Sequence, residues 1–477
     1  MRRTKIVATL GPASSDYEIL RKMIASGLNV ARLNFSHGTA DDHAERVKTI
    51  RRAAKDEGKI VGILADLQGP KIRIARFKNG KVNLKNGSEF TLDASLDVNE
   101  GDEKQVGIDY KELPNDVKPN DVLLLDDGRL VFNVERIEGT KVICRVTAGG
   151  ELSNNKGINR QGGGLTAPAL TEKDKKDLKT AIKLKVDYLA ISFVRSAEDV
   201  AYAKQLVKAE KGNAGIIAKI ERVEAVEPDT LDAIIAETDG IMVARGDLGV
   251  EIGDAQVPAA QKRMITRARD LNKPVITATQ MMETMIHNVV PTRAEVSDVA
   301  NAVLDSTDAV MLSAESATGD HPDLVINTMA RIAIAAEEDP ITKTSQHRME
   351  VSFGRIDETI SMATMYAANH LQNVTAIICL TESGSTPLWM SRIHTGIPIF
   401  ALSRHENTLG RMALYRDVHP IFFDVTKHDS AKIKNSAISL LKKQGLIKDG
   451  DLVIITRGPK RGVHGGTNSM TIVEVGQ

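Results

Sequence analysis

Cysteine is almost absent: Cys144 and Cys379 are the only thiols among 477 residues. They stand far apart with no CxxC spacing and no histidine partner, which excludes a disulfide framework and a zinc site and implies two buried free thiols in a reducing compartment. Aromatic residues are scarce, with one Trp, six Tyr and nine Phe, too few for the stacking platforms of single-strand nucleic-acid binders. Net charge is missing as well, since 63 Lys and Arg balance 63 Asp and Glu. Without a global basic field, any anionic ligand must be met locally. Long hydrophobic runs are lacking: the segment after the basic start, Ile6–Leu10, stops at Gly11-Pro12, shorter than a signal-peptide core, and nothing approaches a membrane span. The expectation is a cytoplasmic protein with neither a nucleic acid nor a membrane as partner. The common nucleotide loops are absent too, with no GxxxxGK[ST] and no GxGxxG after a strand.

What is present is a series of short Val/Ile/Ala-rich runs, each followed by a polar break and a helical pattern. Eight recur, at 5–10, 30–33, 60–65, 188–191, 216–220, 241–244, 275–278 and 309–312. Continuous apolar strands separated by helices indicate parallel strands buried on both faces, and eight such units close a (β/α)₈ barrel. A doubly wound open sheet is the alternative. The third and fourth runs are separated by far more than one βα unit, and the intervening residues alternate in short strands at 81–84, 89–92, 122–125, 130–134 and 141–144. The expected fold is therefore an α/β TIM barrel (1–68 and 169–340) carrying an inserted small β-barrel lid (69–168). Inserts after a barrel strand emerge at the face where active sites form. A charged segment, 337–349, reads as a linker to a C-terminal α/β domain (350–477) of alternating helices and strands.

The barrel reading demands a coherent set of polar residues at the strand ends. Arg32, Asn34, Ser36 and His37 follow the second run, Asp66 the third, Lys219 and Glu221 the fifth, Arg245, Gly246 and Asp247 the sixth, Thr279 and Gln280 the seventh, Ser313 and Glu315 the eighth. Lys219 and Glu221, two apart on an extended strand, point to one face. Glu221 and Asp247 then form a hard two-oxygen site of the kind Mg²⁺ uses when a substrate supplies further ligands. Lys219 alone would equally suit a buried ion pair, but Arg32 and Arg73 are surplus to one and suit a phosphoryl group. Gly246 permits close backbone approach, so its amide and that of Asp247, with the Thr279 hydroxyl, could hold a carboxylate. The histidines, including His37 and His43, lack metal-ligand spacing and read as surface or helix-face residues.

The segments KIVATLGPAS, NVARLNFSHG, LADLQGPKIR, NNKGINRQGGG, IIAKIERVEA, MVARGDLGVE, ITATQMME, PTRAEVSDVANAVLD and MLSAES resemble, in order, the motif series of the pyruvate kinase family, in its bacterial, sugar-monophosphate- or AMP-activated form. The resemblance implies a homotetramer that transfers the phosphoryl group of phosphoenolpyruvate to ADP, giving pyruvate and ATP, with Mg²⁺ as cofactor and Mn²⁺ as a substitute. It implies Lys219 as the cation for the phosphoryl group and the enolate, Glu221 and Asp247 as Mg²⁺ ligands, and Arg32 and Arg73 as phosphate-binding arginines. Gly246, Asp247 and Thr279 match the carboxylate pocket, and Thr279 and Ser313 the proton delivery. Asn34, His37, Arg73 and Lys156 match the nucleotide side, and Asn34, Ser36, Asp66 and Leu67 the monovalent-cation position.

One departure concerns that last position. The K⁺-requiring pattern Asp-Thr-Lys-Gly-Pro-Glu is here Asp66-Leu67-Gln68-Gly69-Pro70-Lys71, so the Lys71 ammonium, expected near Asn34, Ser36 and Asp66, could replace K⁺ and make it unnecessary. In the C-terminal domain, Thr381, Ser383, Gly384, Ser385 and Thr386 form a strand-to-helix loop where the family holds a phosphorylated effector; an ordinary helix cap is the plain reading. Glu382 favours a monophosphate, a sugar phosphate or AMP, over a bisphosphate. Val289-Val290 before Pro291 departs from the family pattern. Two other readings are a different Mg²⁺-dependent enolate enzyme and a silent sugar-phosphate sensor; the full set of Lys219, Glu221, Asp247 and Thr279 argues against the second.

Overall fold

A computed structural model describes residues 1–343, 345, 347–459 and 466–477. The eight apolar runs are strands β1 (Lys5–Leu10), β2 (Val30–Asn34), β3 (Gly62–Asp66), β4 (Tyr188–Ile191), β5 (Gly215–Ile220), β6 (Gly240–Ala244), β7 (Val275–Ala278) and β8 (Ala309–Leu312). They close into a barrel in the order β1-β8-β7-β6-β5-β4-β3-β2, every pair parallel.

Side-chain alternation sorts each strand into two packing layers. Val7, Val30, Leu64, Ala190, Ile217, Met242, Ile276 and Met311 fill the interior, whereas Ile6, Ala31, Ile63, Leu189, Ile216, Ile241 and Val310 pack with the outer helices. The inward rows continue two and four residues on, to Thr9, Arg32, Asn34, Asp66 and Lys219, with Thr9 paired to Arg32 and Asn34 to Asp66 in register. The same alternation that builds the core thus delivers the polar groups to the C-terminal mouth. Capping boxes at Thr39, Thr171 and Thr292 fix where three of the outer helices begin.

The insert has its own apolar core, including Phe90, Leu92, Leu125, Phe132 and Val146. It comprises a six-stranded sheet, in which 158–160, 122–125, 130–138, 141–148, 89–93 and 105–107 are neighbours in that order, and a two-stranded ribbon of 81–84 with 150–153. Its return to the barrel passes through Gly162, Gly163 and Gly164, all at positive φ. A Cβ at Gly163 would collide with Val223, so only glycine fits this crossing.

The C-terminal domain contains β9 (Val374–Leu380), β10 (Ile399–Ser403), β11 (Val418–Phe422), β12 (Leu452–Arg457) and β13 (Ser469–Glu474), in sheet order β11-β10-β9-β12-β13. Only β13 runs antiparallel. Cys144 and Cys379 are both free and buried, and burial pushes each thiol up to about 12, as expected of inert core cysteines.

This domain closes the barrel floor through buried polar contacts. The Arg392 guanidinium pairs with Asp308, Nη1 lying 3.0 Å from Oδ2, and Asp308 also accepts the Val275 and Arg416 amides. Glu337 begins the segment expected to be a linker, yet it is buried, and its carboxylate accepts the backbone N–H groups of Arg3 and Thr4 at 2.8 and 2.5 Å. It is a fastening, and its burial opposite the chain start is not visible in a run of charged residues; positions 344 and 346 of that segment lie outside the described residues. Helix Glu406–Met412 meets the floor at Gly410, where a Cβ would collide with the Asp187 carboxylate.

Removing one member of a buried ion pair leaves an uncompensated charge. Arg392→Met should therefore lower unfolding stability by about 3–5 kcal/mol, read by calorimetry as a clear fall in thermal midpoint. An unchanged midpoint would show that the pair does not hold the two domains together.

Candidate active site

Four charged groups meet at the mouth of the barrel. Lys219 Nζ lies 2.9 Å from Glu221 Oε1 and 3.4 Å from Asp66 Oδ1, and it donates to Ser192 Oγ at 2.8 Å. Asp66 Oδ2 accepts from Arg32 Nε and Nη2, each at 2.7 Å, and Arg32 Nη1 donates to Thr9 Oγ1 at 2.8 Å. Thr9 and Ser192 were not among the expected site residues. Thr9 had a signal, a polar residue within an apolar strand; Ser192 had none.

Burial sets the electrostatics. It opposes the Lys219 charge, but Asp66 and Glu221 outweigh it and hold the ammonium above the ordinary lysine range. Burial also pushes the Asp66 carboxyl up, and Lys219 and Arg32 reverse this and hold it below the usual carboxylate range. Glu221 differs: burial, with Asp247 adding to it, prevails over Lys219 and raises it. Its second oxygen accepts the Phe193 amide at 2.8 Å.

Among the described residues no group of three His, Cys, Asp or Glu could hold a metal. A divalent cation at Glu221 and Asp247 would draw further oxygens from substrate and water, as Mg²⁺ does. The donor set fits, because both groups offer hard carboxylate oxygens, and the Asp247 repulsion that adds to burial in raising Glu221 is what a cation between them would relieve.

At the end of β6, helix Arg245–Ile252 begins, putting the Gly246 and Asp247 amides in its first turn, where N–H groups lack intrahelical acceptors. Gly246 N–H donates to Thr279 Oγ1 at 2.9 Å, and that hydroxyl donates to Ala278 O at 2.7 Å. Thr279 and Gln280 have φ of +63 and +54, an outlier for a β-branched residue and a mark of functional strain. Arg245 is withdrawn from the expected ring: it is buried, pairs with Asp298 and donates to the Thr279 carbonyl at 2.6 Å. Glu315 is withdrawn too, turned into the wall to accept the Ser313 and Met282 amides. Ser313 stays at the end of β8.

Two of the expected lid residues make their contacts apart from this ring. Arg73 donates to the Asn155 carbonyl at 3.0 Å and its amide to Asp109, so its contacts are within the lid. Lys156 pairs with Asp126 at 2.7 Å. Lys71 lies 3.3 Å from Asp247 Oδ1 and 3.8 Å from Asp127 Oδ1. Its ion pairs are thus with Asp247 at the end of β6 and Asp127 of the lid, not with Asn34, Ser36 and Asp66 as expected, because these two carboxylates reach its ammonium first. The Leu67 carbonyl accepts the Ser192 hydroxyl at 2.8 Å, Asn34 Oδ1 accepts the Ser36 amide at 3.1 Å, and His37 is exposed. His43 is not a surface residue, being 1 % exposed.

In the C-terminal domain, a cavity of about 530 Å³ is lined by Thr381, Ser383 and Thr386 together with Arg404, Arg457 and Thr467. Gly384 and Ser385 sit behind it at the start of helix Ser385–Ser391. Glu382 is paired with Arg404 at 3.3 Å and His405 at 2.5 Å, so its charge is neutralised and does not by itself repel a densely charged ligand.

These features define a (β/α)₈ barrel of the enzyme kind, with a charge-balanced polar mouth beneath an inserted β lid. The family profile "Pyruvate kinase, barrel domain" matches residues 1–326 and "Pyruvate kinase, alpha/beta domain" matches 358–473. The chain is 55% identical over 476 residues to "Pyruvate kinase II" of Salmonella typhimurium, with 100% of this chain and 99% of that protein covered. It is 53% identical to "Pyruvate kinase" of Haemophilus influenzae, covering 99% of each, and 41% identical to that of Staphylococcus aureus, covering 100% of this chain and 81% of that protein. The chain belongs to the pyruvate kinase family. Among the described residues no helix is long and apolar enough to cross a membrane.

Lys219→Met would leave Asp66 and Glu221 buried opposite Arg32 alone. Thermal unfolding should show a loss of about 3–5 kcal/mol near neutral pH. Wild-type Asp66, held low, adds stability above its unfolded value and loses it as pH falls through the folded one. In the variant the carboxyls are relieved by protonation, so the gap to wild type should narrow as pH falls; a constant gap would contradict the pairing.

Proposed function

We propose that the protein transfers the phosphoryl group of phosphoenolpyruvate to ADP, forming pyruvate and ATP, and that it requires Mg²⁺, or Mn²⁺ in its place, but not K⁺. The observation that supports this reading most directly is the Arg32–Asp66–Lys219–Glu221 cluster. Phosphoryl transfer needs positioning and charge neutralisation more than covalent catalysis. Lys219, held above the ordinary range, stays protonated and serves as a fixed cation for the phosphoryl group and the enolate. Arg32, fixed by Asp66 and Thr9, binds phosphate, joined by Arg73 on the lid. The Gly246 and Asp247 amides and the Thr279 hydroxyl receive the substrate carboxylate, and the Thr279 and Ser313 hydroxyls lie on the route by which a proton reaches the enolate. Glu221 and Asp247 would hold Mg²⁺, which supplies charge neutralisation to the phosphoryl oxygens when bound. Asn34, His37 and Lys156 face the nucleotide, and lid closure excludes water that would hydrolyse the donor.

The case for K⁺ independence rests on Lys71, whose ammonium already adds a positive charge beside Asp247. A phosphorylated sugar or AMP is the proposed effector for the C-terminal cavity. Arg404 and Arg457, with Thr381, Ser383 and Thr386, are among its described lining residues, a donor set suited to one phosphate group. Exposed Val289 and Val290 support assembly with other copies of the chain, as a homotetramer.

A coupled dehydrogenase assay with phosphoenolpyruvate, ADP and Mg²⁺ should show pyruvate formation in K⁺-free, tetramethylammonium-balanced buffer. A rise of an order of magnitude or more on adding K⁺ would overturn K⁺ independence, and Lys71→Glu should create such a dependence. At low phosphoenolpyruvate, a sugar monophosphate or AMP should raise the initial rate; a flat response to both would remove the effector reading.

A further inference from the structure

His43 sits in the first turn after the Thr39 cap of helix Ala40–Asp56. It is 1 % exposed, and neither ring nitrogen has a hydrogen-bond partner. Its ring lies flat on Phe35, with centroids 4.0 Å apart and planes 13° from parallel. Leaving two polar atoms buried and unpaired is unfavourable, and a native structure that keeps such atoms calls for a reason. Stacking alone would be better served by phenylalanine, which has no polar atoms to bury.

The surroundings supply a reason. Phe35 opens the 35–38 turn that carries Ser36 and His37, and its backbone is already fixed: its N–H donates to the Asp66 carbonyl at 2.9 Å, and its carbonyl accepts from Lys173 at 2.6 Å. The rest of the turn has fewer contacts and is more exposed. His37 is exposed and its N–H reaches the Asn34 carbonyl at 3.3 Å. Gly38 has φ of +82, and a Cβ there would stand 3.6 Å from His43 Nε2, so the ring edge faces the Gly38 side of the turn. The His37 peptide carbonyl is the acceptor facing the ring: it raises the imidazole against burial, as a hydrogen-bond acceptor does, while the contact falls short of full hydrogen-bond geometry. Burial, with Arg46 adding to it, holds the imidazole neutral against Asp177 and Asp42. A neutral ring retains one N–H to donate.

We infer that His43 is a positioning residue for the nucleotide turn: its free ring N–H is held for the His37 carbonyl, and that hydrogen bond forms when the turn closes over ADP. This rests on the proposed placement of Asn34 and His37 at the nucleotide. The geometry fits a hydrogen bond made only in the liganded form. Phe35, clamped on its backbone and stacked against His43, is the fixed side of the turn, and Gly38 is the side that moves.

Two variants separate this from a packing role. His43→Phe keeps the stack and removes the unpaired nitrogens, so the thermal midpoint should hold or rise. His43→Gln loses the stack but restores a donor. The Michaelis constant for ADP should rise about fivefold in His43→Phe, the size expected for one neutral hydrogen bond, with that for phosphoenolpyruvate unchanged, and His43→Gln should recover part of the loss. If His43→Phe is as stable as wild type and binds ADP as well, the positioning role is refuted. His37→Ala serves as the control. If it raises the ADP constant while His43→Phe does not, only this inference fails; if it leaves the ADP constant unchanged, the nucleotide placement fails and the inference with it.

Discussion

Everything at the mouth of the barrel depends on one buried charge cluster, in which Arg32, Asp66, Lys219 and Glu221 neutralise one another at hydrogen-bond range. Taking an ammonium and two carboxylates out of water costs several kcal/mol per ion unless each finds partners. Here the partners are supplied by adjacent parallel strands, whose register sets Asn34 beside Asp66 and Ala190 beside Asp66. Alternation on β2, β3 and β5 aims all of these side chains inward. Because the set is closed and balanced, its protonation states are fixed before any substrate arrives, which is what electrostatic preorganisation requires. Asp247 stands outside that balance, and among the described residues its ion pair is with the Lys71 ammonium. It is therefore the carboxylate most available to a cation.

The two ends of the barrel use ion pairs for opposite purposes. At the floor, Asp308 is saturated by Arg392 and two backbone amides, and Glu337 clamps the chain start. The Arg392–Asp308 contact joins the C-terminal domain to the barrel, and the Glu337 contact ties the chain start to the end of the last barrel helix. At the mouth, the contacts of Lys71, Lys156 and Arg73 are partly exposed and made to groups of the lid or its rim. Partly exposed pairs of this kind are individually weak, so they can exchange partners when the lid moves. With a zero net charge overall, local pairing and not a global field decides where an anion could be held.

How far the site could be read in advance follows from the same physics. Parallel strands buried on both faces are continuous apolar runs, so all eight were legible, and the Lys219-Ile220-Glu221 spacing gave the inward pair. Arg245 was not legible as a structural residue, because its partner, Asp298, is on another helix. Glu337 sat in a charged stretch that reads like any linker, and only its meeting with Arg3 and Thr4 shows that it is buried. His43, flanked by Asp42, Glu45 and Arg46, has the neighbours of a solvent face, and nothing in that pattern reveals the Phe35 ring above it. Lys71 was recognised by its sequence position, but its partner Asp247 is remote in the chain, at the end of β6, and that meeting is not written in the local pattern.

Backbone strain is the component that no sequence pattern carries. Phe193, Thr279 and Gln280 occupy the left-handed region, at the ends of β4 and β7, where a bulky or β-branched side chain is disfavoured by roughly 1–3 kcal/mol. Each is held there by a charged neighbour. The Phe193 amide is bound by Glu221, and the Thr279 and Gln280 carbonyls by the Arg245 guanidinium, itself anchored on Asp298. Arg245 is thus withdrawn from the ligand in order to hold Thr279 in a conformation it would not adopt alone. The result is a hydroxyl fixed between the Gly246 amide and the Ala278 carbonyl, beside the first turn of the helix that presents Asp247. The strain and the charge cluster are one construction, since Glu221 serves both: one oxygen holds Lys219 and the other holds the strained turn at Phe193.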